Sequence, residues 1–228
     1  MWFRAMWWVC TQKTGISAVG LKRILGLKST QTAWVWLHKL RKATIRTGRE
    51  KLSGRVQIDD AFIGGEESGV IGRQSFKKAR IAVAVEIKEA GGGLGRIRIQ
   101  HISNFSARCL VTFVTQNVEL GSVVETDGWR GYNPIEKMGF QRVILRVCDS
   151  PENPLPQVNR VIALLKRWVL GTHQGRVSLK YLQQYLDEFV FRHNRRKSKD
   201  VGLLFQRMLK QSSESVPVTY KELVKNTT

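Results

Sequence analysis

The run Val56-Gln57-Ile58-Asp59-Asp60-Ala61-Phe62-Ile63-Gly64-Gly65 constrains this chain more than any other. Val56, Ile58 and Phe62 are strand formers, and the two glycines mark where the strand stops. Two adjacent carboxylates inside an apolar strand conflict with plain core packing, because a buried, unpaired charge is very costly. Two readings follow. The strand lies at an edge with both acids in water, or one acid faces a bound cation. Strand alternation sends Asp59 and Asp60 to opposite faces, so only one of them can face a given site.

Charge decides what kind of partner to look for. The 228 residues carry 38 Lys and Arg against 18 Asp and Glu, a net charge of +20. That excess points to a polyanion, with nucleic acid as the default, and implies binding that weakens steeply with salt. A membrane surface is the rival partner. No basic amphipathic tail and no run of 18 apolar residues supports it, so no membrane is expected and a cytoplasmic, nucleoid-associated protein is the simplest reading. Cys10, Cys109 and Cys148 form no C-x-x-C pair, which argues against both a zinc ribbon and a disulfide framework.

The N-terminal region is read as helical. Residues 1–12 make an aromatic-rich helix. Ser17 is a helix N-cap, Leu21, Ile24 and Leu25 recur at helical spacing, and Gly26 closes the turn. A second helix, capped by Ser29 or Thr30, runs to about Ala43. Helix, short glycine-containing turn and helix match a helix-turn-helix DNA reader, with a purely structural hairpin as the alternative. Between residues 1 and 57 there are 12 Lys and Arg against the single acid Glu50, which favours DNA. Gln31, Thr32, Lys39, Arg41 and Lys42 on the second helix are the candidate DNA contacts. The expected boundaries are 1–53 for this region, 54–200 for a catalytic domain and 201–228 for a C-terminal tail, polar from Gln211 on.

Beyond the Asp59 strand, a glycine- and charge-rich loop over 64–78 leads to strands at 79–87 and 96–101, joined by a glycine turn at 90–93. A helix is expected over 106–118, a strand over 121–128 ending in Asp127-Gly128, and a further strand over 142–147. A helix from about Gln157 to Leu170 shows Val158, Val161, Ile162 and Leu165 as its apolar stripe. Ser178 then caps a long last helix. Three strands, a helix, a strand, more α/β and a final helix give the order of a ribonuclease-H-like α/β fold, a mixed five-stranded sheet with flanking helices. Such a fold sets one acid on its first strand, another at the end of its fourth and a third ligand on a late helix. Here those positions are Asp59, Asp127 and the helix that begins near Asn159, with spacings of 68 and 32 residues. Oxygen ligands from separate elements suit Mg²⁺, and two such ions suit displacement at phosphorus.

With these residues in place the chain resembles the bacterial insertion-sequence transposases of the DDE superfamily, in the ISXO-like branch with an Asp-Asp-Asn-Lys signature. The matching stretches are Val56–Gly65 and Thr126-Asp127-Gly128-Trp129-Arg130-Gly131-Tyr132. Further on come Asn159 with Leu164-Leu165-Lys166-Arg167-Trp168 and Gly171-Thr172-His173-Gln174-Gly175, then Tyr185-Leu186-Asp187-Glu188-Phe189 with Phe191-Arg192 and Asn194-Arg195-Arg196. The resemblance implies that Asp59, Asp127 and Asn159 hold two Mg²⁺ (or Mn²⁺) ions. It sets Lys166, two turns along the Asn159 face, against DNA phosphate near the scissile bond. Arg130, Arg167, His173, Arg192, Arg195 and Arg196 are further DNA-contact candidates, although Arg130 equally suits a packed loop and the 192–197 cluster a solvated face. Members usually begin with a cysteine zinc ribbon, which this sequence does not show.

The expected activity is metal-dependent cleavage of insertion-element ends in double-stranded DNA, followed by strand transfer into target DNA. A homodimer or larger assembly would hold two ends. The alternatives are a catalytically inactive, truncated copy that acts only as a DNA-binding protein, and a nuclease that cuts without joining.

Overall fold

The structure of the chain is a computed structural model that describes residues 1–46, 48–65, 75, 78–88, 93–146, 153–175 and 177–225. The chain forms two compact units, Glu50–Arg167 and the combination of Met1–Arg49 with Trp168–Thr228.

The first of these is built on five strands, β1 (Arg55–Ile63), β2 (Ala79–Ile87), β3 (Leu94–Ile102), β4 (Val123–Thr126) and β5 (Gln141–Ile144), in the order β3-β2-β1-β4-β5. β1, β2 and β3 pair antiparallel, as the short connection from β2 to β3 requires for that pair, whereas β4 lies parallel to both β1 and β5. Helix α4 (Ala107–Asn117) makes the crossover from β3 to β4, and its N-cap Ser106 accepts a hydrogen bond from the Cys109 amide. In strand order and direction this is the ribonuclease-H-like arrangement, a mixed five-stranded sheet with flanking helices.

The two faces of the sheet differ in chemistry. Val56, Ile58, Ala82, Ala84 and Val124 face α4 and the 3₁₀ segment Arg130–Met138, and pack with Leu110, Phe113, Val114, Tyr132 and Ile135. Asp60 has the same parity as Val56 and Ile58, and the Tyr132 hydroxyl donates to its Oδ1 at 3.4 Å. The other face receives the start of α5 (Pro156–His173). The expected 142–147 strand is observed as Gln141–Ile144; Val147 lies outside the described residues, as do most of the 64–78 loop and residues 90–92 of the glycine turn.

The helical unit contains α1 (Trp2–Thr11), α2 (Ala18–Leu25), α3 (Thr30–Lys42), α6 (Leu182–Asn194), α7 (Val201–Glu214) and α8 (Tyr220–Lys225), with the end of α5. Ser17 caps α2 through the Gly20 amide, and Gly26 ends it at φ 66°, a left-handed conformation glycine adopts without strain. Ser29 caps α3. The core of this unit joins Met6 and Val9 of α1, Leu21 and Leu25 of α2, Leu37 and Leu40 of α3, Phe191 of α6 and Met208 of α7.

Two expectations are revised here. Residues 201–214 are not a tail: α7 buries Leu204, Met208 and Gln211 and packs on α1, with Trp7 edge-on to Phe205 at 5.7 Å. The helical unit therefore takes in both ends of the chain instead of stopping at residue 53. Ser178 caps no long helix; a 3₁₀ turn, Leu179–Tyr181, precedes α6, and its side chain makes no cap bond.

Candidate active site

The parallel register of β1 and β4 builds the centre of the site. Arg55 lies opposite Val123, Val56 opposite Val124 and Gln57 opposite Glu125. Continued two residues further, the same register carries Asp127, one residue past the end of β4, towards Asp59. Because β1 pairs with β2 without interruption from Val56 to Ile63, its side chains alternate strictly. Gln57 and Asp59 thus share one face, and Ile58 and Asp60 the other.

The third element arrives through Gln57. Its side-chain oxygen accepts hydrogen bonds from the backbone N–H groups of Gln157 at 3.0 Å and Val158 at 3.3 Å, the first turn of α5. Its side-chain nitrogen donates to Glu125 Oε2 at 3.0 Å, and Arg55 Nε donates to Glu125 Oε1. The start of α5, and Asn159 with it, is therefore fastened to the face that carries Asp59. Asn159 is half-buried, and its Nδ2 donates to Asn153 Oδ1 at 2.9 Å. That bond commits the nitrogen end of the amide and leaves the oxygen end as the one that can meet a cation.

Asp127 sits in a turn held from several sides. Its Oδ1 accepts from the Trp129 amide at 3.0 Å. Arg142 of β5 donates to Thr126 Oγ1 at 3.0 Å, to the Asp127 and Trp129 carbonyls at 3.2 Å and to Asn133 Oδ1 at 2.6 Å. Burial lowers the Arg142 pKa from its usual value, with nearby Glu136 and Asp127 opposing that shift.

The donors expected from the sequence, two carboxylates and an amide oxygen, offer the hard-oxygen chemistry that Mg²⁺ prefers. Among the described residues no three His, Cys, Asp or Glu side chains are grouped to hold a metal. Lys166 and Arg167 are exposed further along α5.

The candidate DNA contacts divide into reachable and committed residues. Gln31 and Thr32 are exposed at the start of α3, with Gln31 Nε2 donating to the Tyr220 hydroxyl. Lys39 and Lys42 are half-buried, and Arg130 and Arg196 are exposed, the latter donating to the His193 carbonyl at 2.8 Å.

Arg41 is corrected. It is 3 % exposed, its Nε donates to Glu188 Oε2 at 2.7 Å, and its guanidinium lies 4.0 Å over the Tyr185 ring. Arg192 is corrected likewise, because its Nη2 bonds the other Glu188 oxygen at 2.8 Å and its Nη1 the Gln12 carbonyl. Burial alone would raise the Glu188 carboxyl, but the two guanidiniums hold it down at about 2. Arg195 lies 4.0 Å over Phe191, and burial lowers it to about 10. His173 is not a loop residue: it ends α5, its ring packed edge-on to Trp168 at 4.6 Å and Tyr185 at 4.7 Å. Burial, aided by Arg41, pushes its pKa down to about 4, so it brings no positive charge to DNA near neutrality.

Gln57, Glu125, Asn153 and Arg142 were not anticipated. The signal for the first two was a repeated pattern, a long polar residue two places before the acid in both strands (Gln57-x-Asp59 and Glu125-x-Asp127), which alternation sets on one face. Asn153 and Arg142 act through bonds that no spacing reveals.

A profile of the ISXO2-like transposase domain matches residues 51–194. No curated protein matches the chain significantly. Among solved structures, the catalytic core domain of BIV integrase is 18 % identical with a TM-score of 0.43, covering 72 % of this chain and 99 % of that one. A chain of the simian T-cell lymphotropic virus intasome, solved in complex with PP2A regulatory subunit B56 gamma, is 14 % identical with a TM-score of 0.38, covering 74 % of this chain and 62 % of that one. These superpositions are too loose to bear on the assignment. On the family match, which spans more than half its length, this chain belongs to the ISXO2-like transposase domain family.

Proposed function

We propose that the chain is a DNA transposase that cleaves insertion-element ends and joins the freed 3′-hydroxyl to target DNA, with Asp59, Asp127 and Asn159 as its metal ligands. The observation that supports the proposal is the β1–β4 register, whose continuation leads Asp127 towards Asp59 within a domain of this family. Bound Mg²⁺ or Mn²⁺, two ions in the usual arrangement, would activate the attacking oxygen and stabilise the leaving one. The two aspartates supply charge and the Asn159 amide only an oxygen. Lys166 and Arg167, exposed on the same helix, hold phosphate oxygens of the DNA strand. Gln31 and Thr32, at the start of the second helix of a helix-turn-helix, read duplex DNA together with Lys39 and Lys42, while Arg130 and Arg196 bind the backbone. Two ends must be held, so the working form is a homodimer or larger.

One observation favours a second reading, a DNA-binding copy without activity: the third ligand position carries no charge, which weakens metal binding. Incubation with Mn²⁺ and a duplex bearing the element's terminal repeats separates the two. Cleaved and joined product that disappears in Asp59→Asn, with DNA binding retained, is the expected result. Binding without any nicked or joined strand overturns the enzymatic reading.

A further inference from the structure

We infer that Gln57 is a positioning residue for this site, a cap supplied by β1 that sets the start of α5, and so Asn159, against the strands bearing Asp59 and Asp127. The backbone accounting at this helix end is complete. The first N–H groups of a helix lack intrahelical partners and are usually met by a Ser, Thr, Asp or Asn just before it. Here the preceding residue is Leu155, whose side chain accepts nothing, and Pro156 at the first position has no N–H to satisfy. The next two amides, Gln157 and Val158, both go to Gln57 Oε1, and the Asn159 amide closes the ladder onto the Leu155 carbonyl at 3.1 Å. Gln57 is 4 % exposed and Glu125 is 4 % exposed, so neither has water as a substitute partner.

Gln57 has to accept on one side and donate on the other. Its oxygen faces two N–H groups and its nitrogen faces a carboxylate. Leucine at this place does neither. Glutamate accepts from the helix but has no N–H to give Glu125, whereas glutamate facing Glu125→Gln regains a donor on the β4 side and restores both bonds. Gln57→Glu should therefore be rescued by Glu125→Gln, which a merely space-filling role would not produce.

The inference rests on the metal-site reading above only for the benefit it assigns to the cap. The test uses the full chain and Mn²⁺ alone, titrated into wild type, Gln57→Leu, Gln57→Glu, the double variant Gln57→Glu/Glu125→Gln and Asp59→Asn. Amide exchange at Gln157 and Val158 is followed alongside. Expected are faster exchange of those two amides and about 10-fold weaker Mn²⁺ binding in Gln57→Leu, the size typical of groups that orient a metal ligand. Gln57→Glu should bind Mn²⁺ more weakly as well, and adding Glu125→Gln should return it towards wild type. Unchanged exchange at Gln157 and Val158 in Gln57→Leu, or no rescue in the double variant, overturns the inference. Should Gln57→Leu fail to fold, the comparison of Gln57→Glu with the double variant decides alone. Asp59→Asn binding Mn²⁺ as wild type does would refute the metal site itself, and the amide exchange would still judge the cap.

Discussion

Asn153 and Asn159 are joined through their side chains: Nδ2 of Asn159 donates to Oδ1 of Asn153 at 2.9 Å, and the same Oδ1 accepts from the Leu155 amide at 3.1 Å. The residue that opens α5 therefore also fixes which end of the Asn159 amide is turned to the site. Removing that anchor in Asn153→Ala should raise the Mn²⁺ concentration needed for half-maximal nicking about 10-fold. Asn159→Asp supplies the missing charge and should lower it. Equal midpoints in wild type and both variants would show that Asn159 touches no metal.

Glu188 sits between Arg41 at 2.7 Å and Arg192 at 2.8 Å, with all three groups largely shielded from water. A neutral glutamine in place of this glutamate would leave two guanidiniums buried without a counter-charge. Glu188→Gln should destabilise the helical unit by about 3–5 kcal/mol, read as a lower urea midpoint. A midpoint close to wild type would mean that the pair is hydrated in solution.

Acid should loosen the same unit before it protonates ordinary carboxylates. Burial, joined by Arg41 for His38 and His173 and by Arg196 for His193, lowers all three histidines from 6.5 to about 4. The fold favours their neutral form, so their contribution is full above pH 6.5 and is lost as pH falls towards 4. Asp187 works the other way, since burial raises it from 3.8 to about 6 and its contribution is lost as pH rises through that range. Three losses against one gain predict falling stability from pH 6.5 to 4. Glu188, held at about 2, adds a further loss below 4.5. Urea midpoints collected across this range check the sign, and a flat profile from pH 6.5 to 4 would contradict it.

How much of this was legible in the sequence depends on whether a residue's partners lie nearby in the chain. The strand carrying Asp59 announced itself by alternation, and the Ser17, Gly26 and Ser29 caps by local chemistry, because those effects act within a few residues. Asp60 was expected to turn away from the acids' site, and its bond with Tyr132 lies on the α4 face. Arg41, Arg192 and His173 read as DNA contacts because a basic group on a helix or loop defaults to solvent. Arg192 lies one helical turn from its partner Glu188 and was legible as an i,i+4 pair, whereas for Arg41 the same partner stands 147 residues away. Gln57 was passed over as an ordinary strand residue for the same reason, its helix partners lying 100 and 101 residues away. The C-terminal helix was legible too, since Leu204, Phe205 and Met208 recur at helical spacing, but the α1 core they complete lies some 200 residues earlier in the chain.

The packing of α7 on α1 also sets an order on synthesis. Met6 and Val9 leave the ribosome some 200 residues ahead of Met208, which completes their core within 3.6 Å of Cys10. Meanwhile every strand of Glu50–Arg167 has already emerged. Glu50–Arg167 can thus be complete before the unit that holds residues 1–49, counter to the usual order in which the more N-terminal part folds first. The Met6 and Val9 side of α1 lacks Met208 through that interval, and a chain cut at residue 200 never gains it.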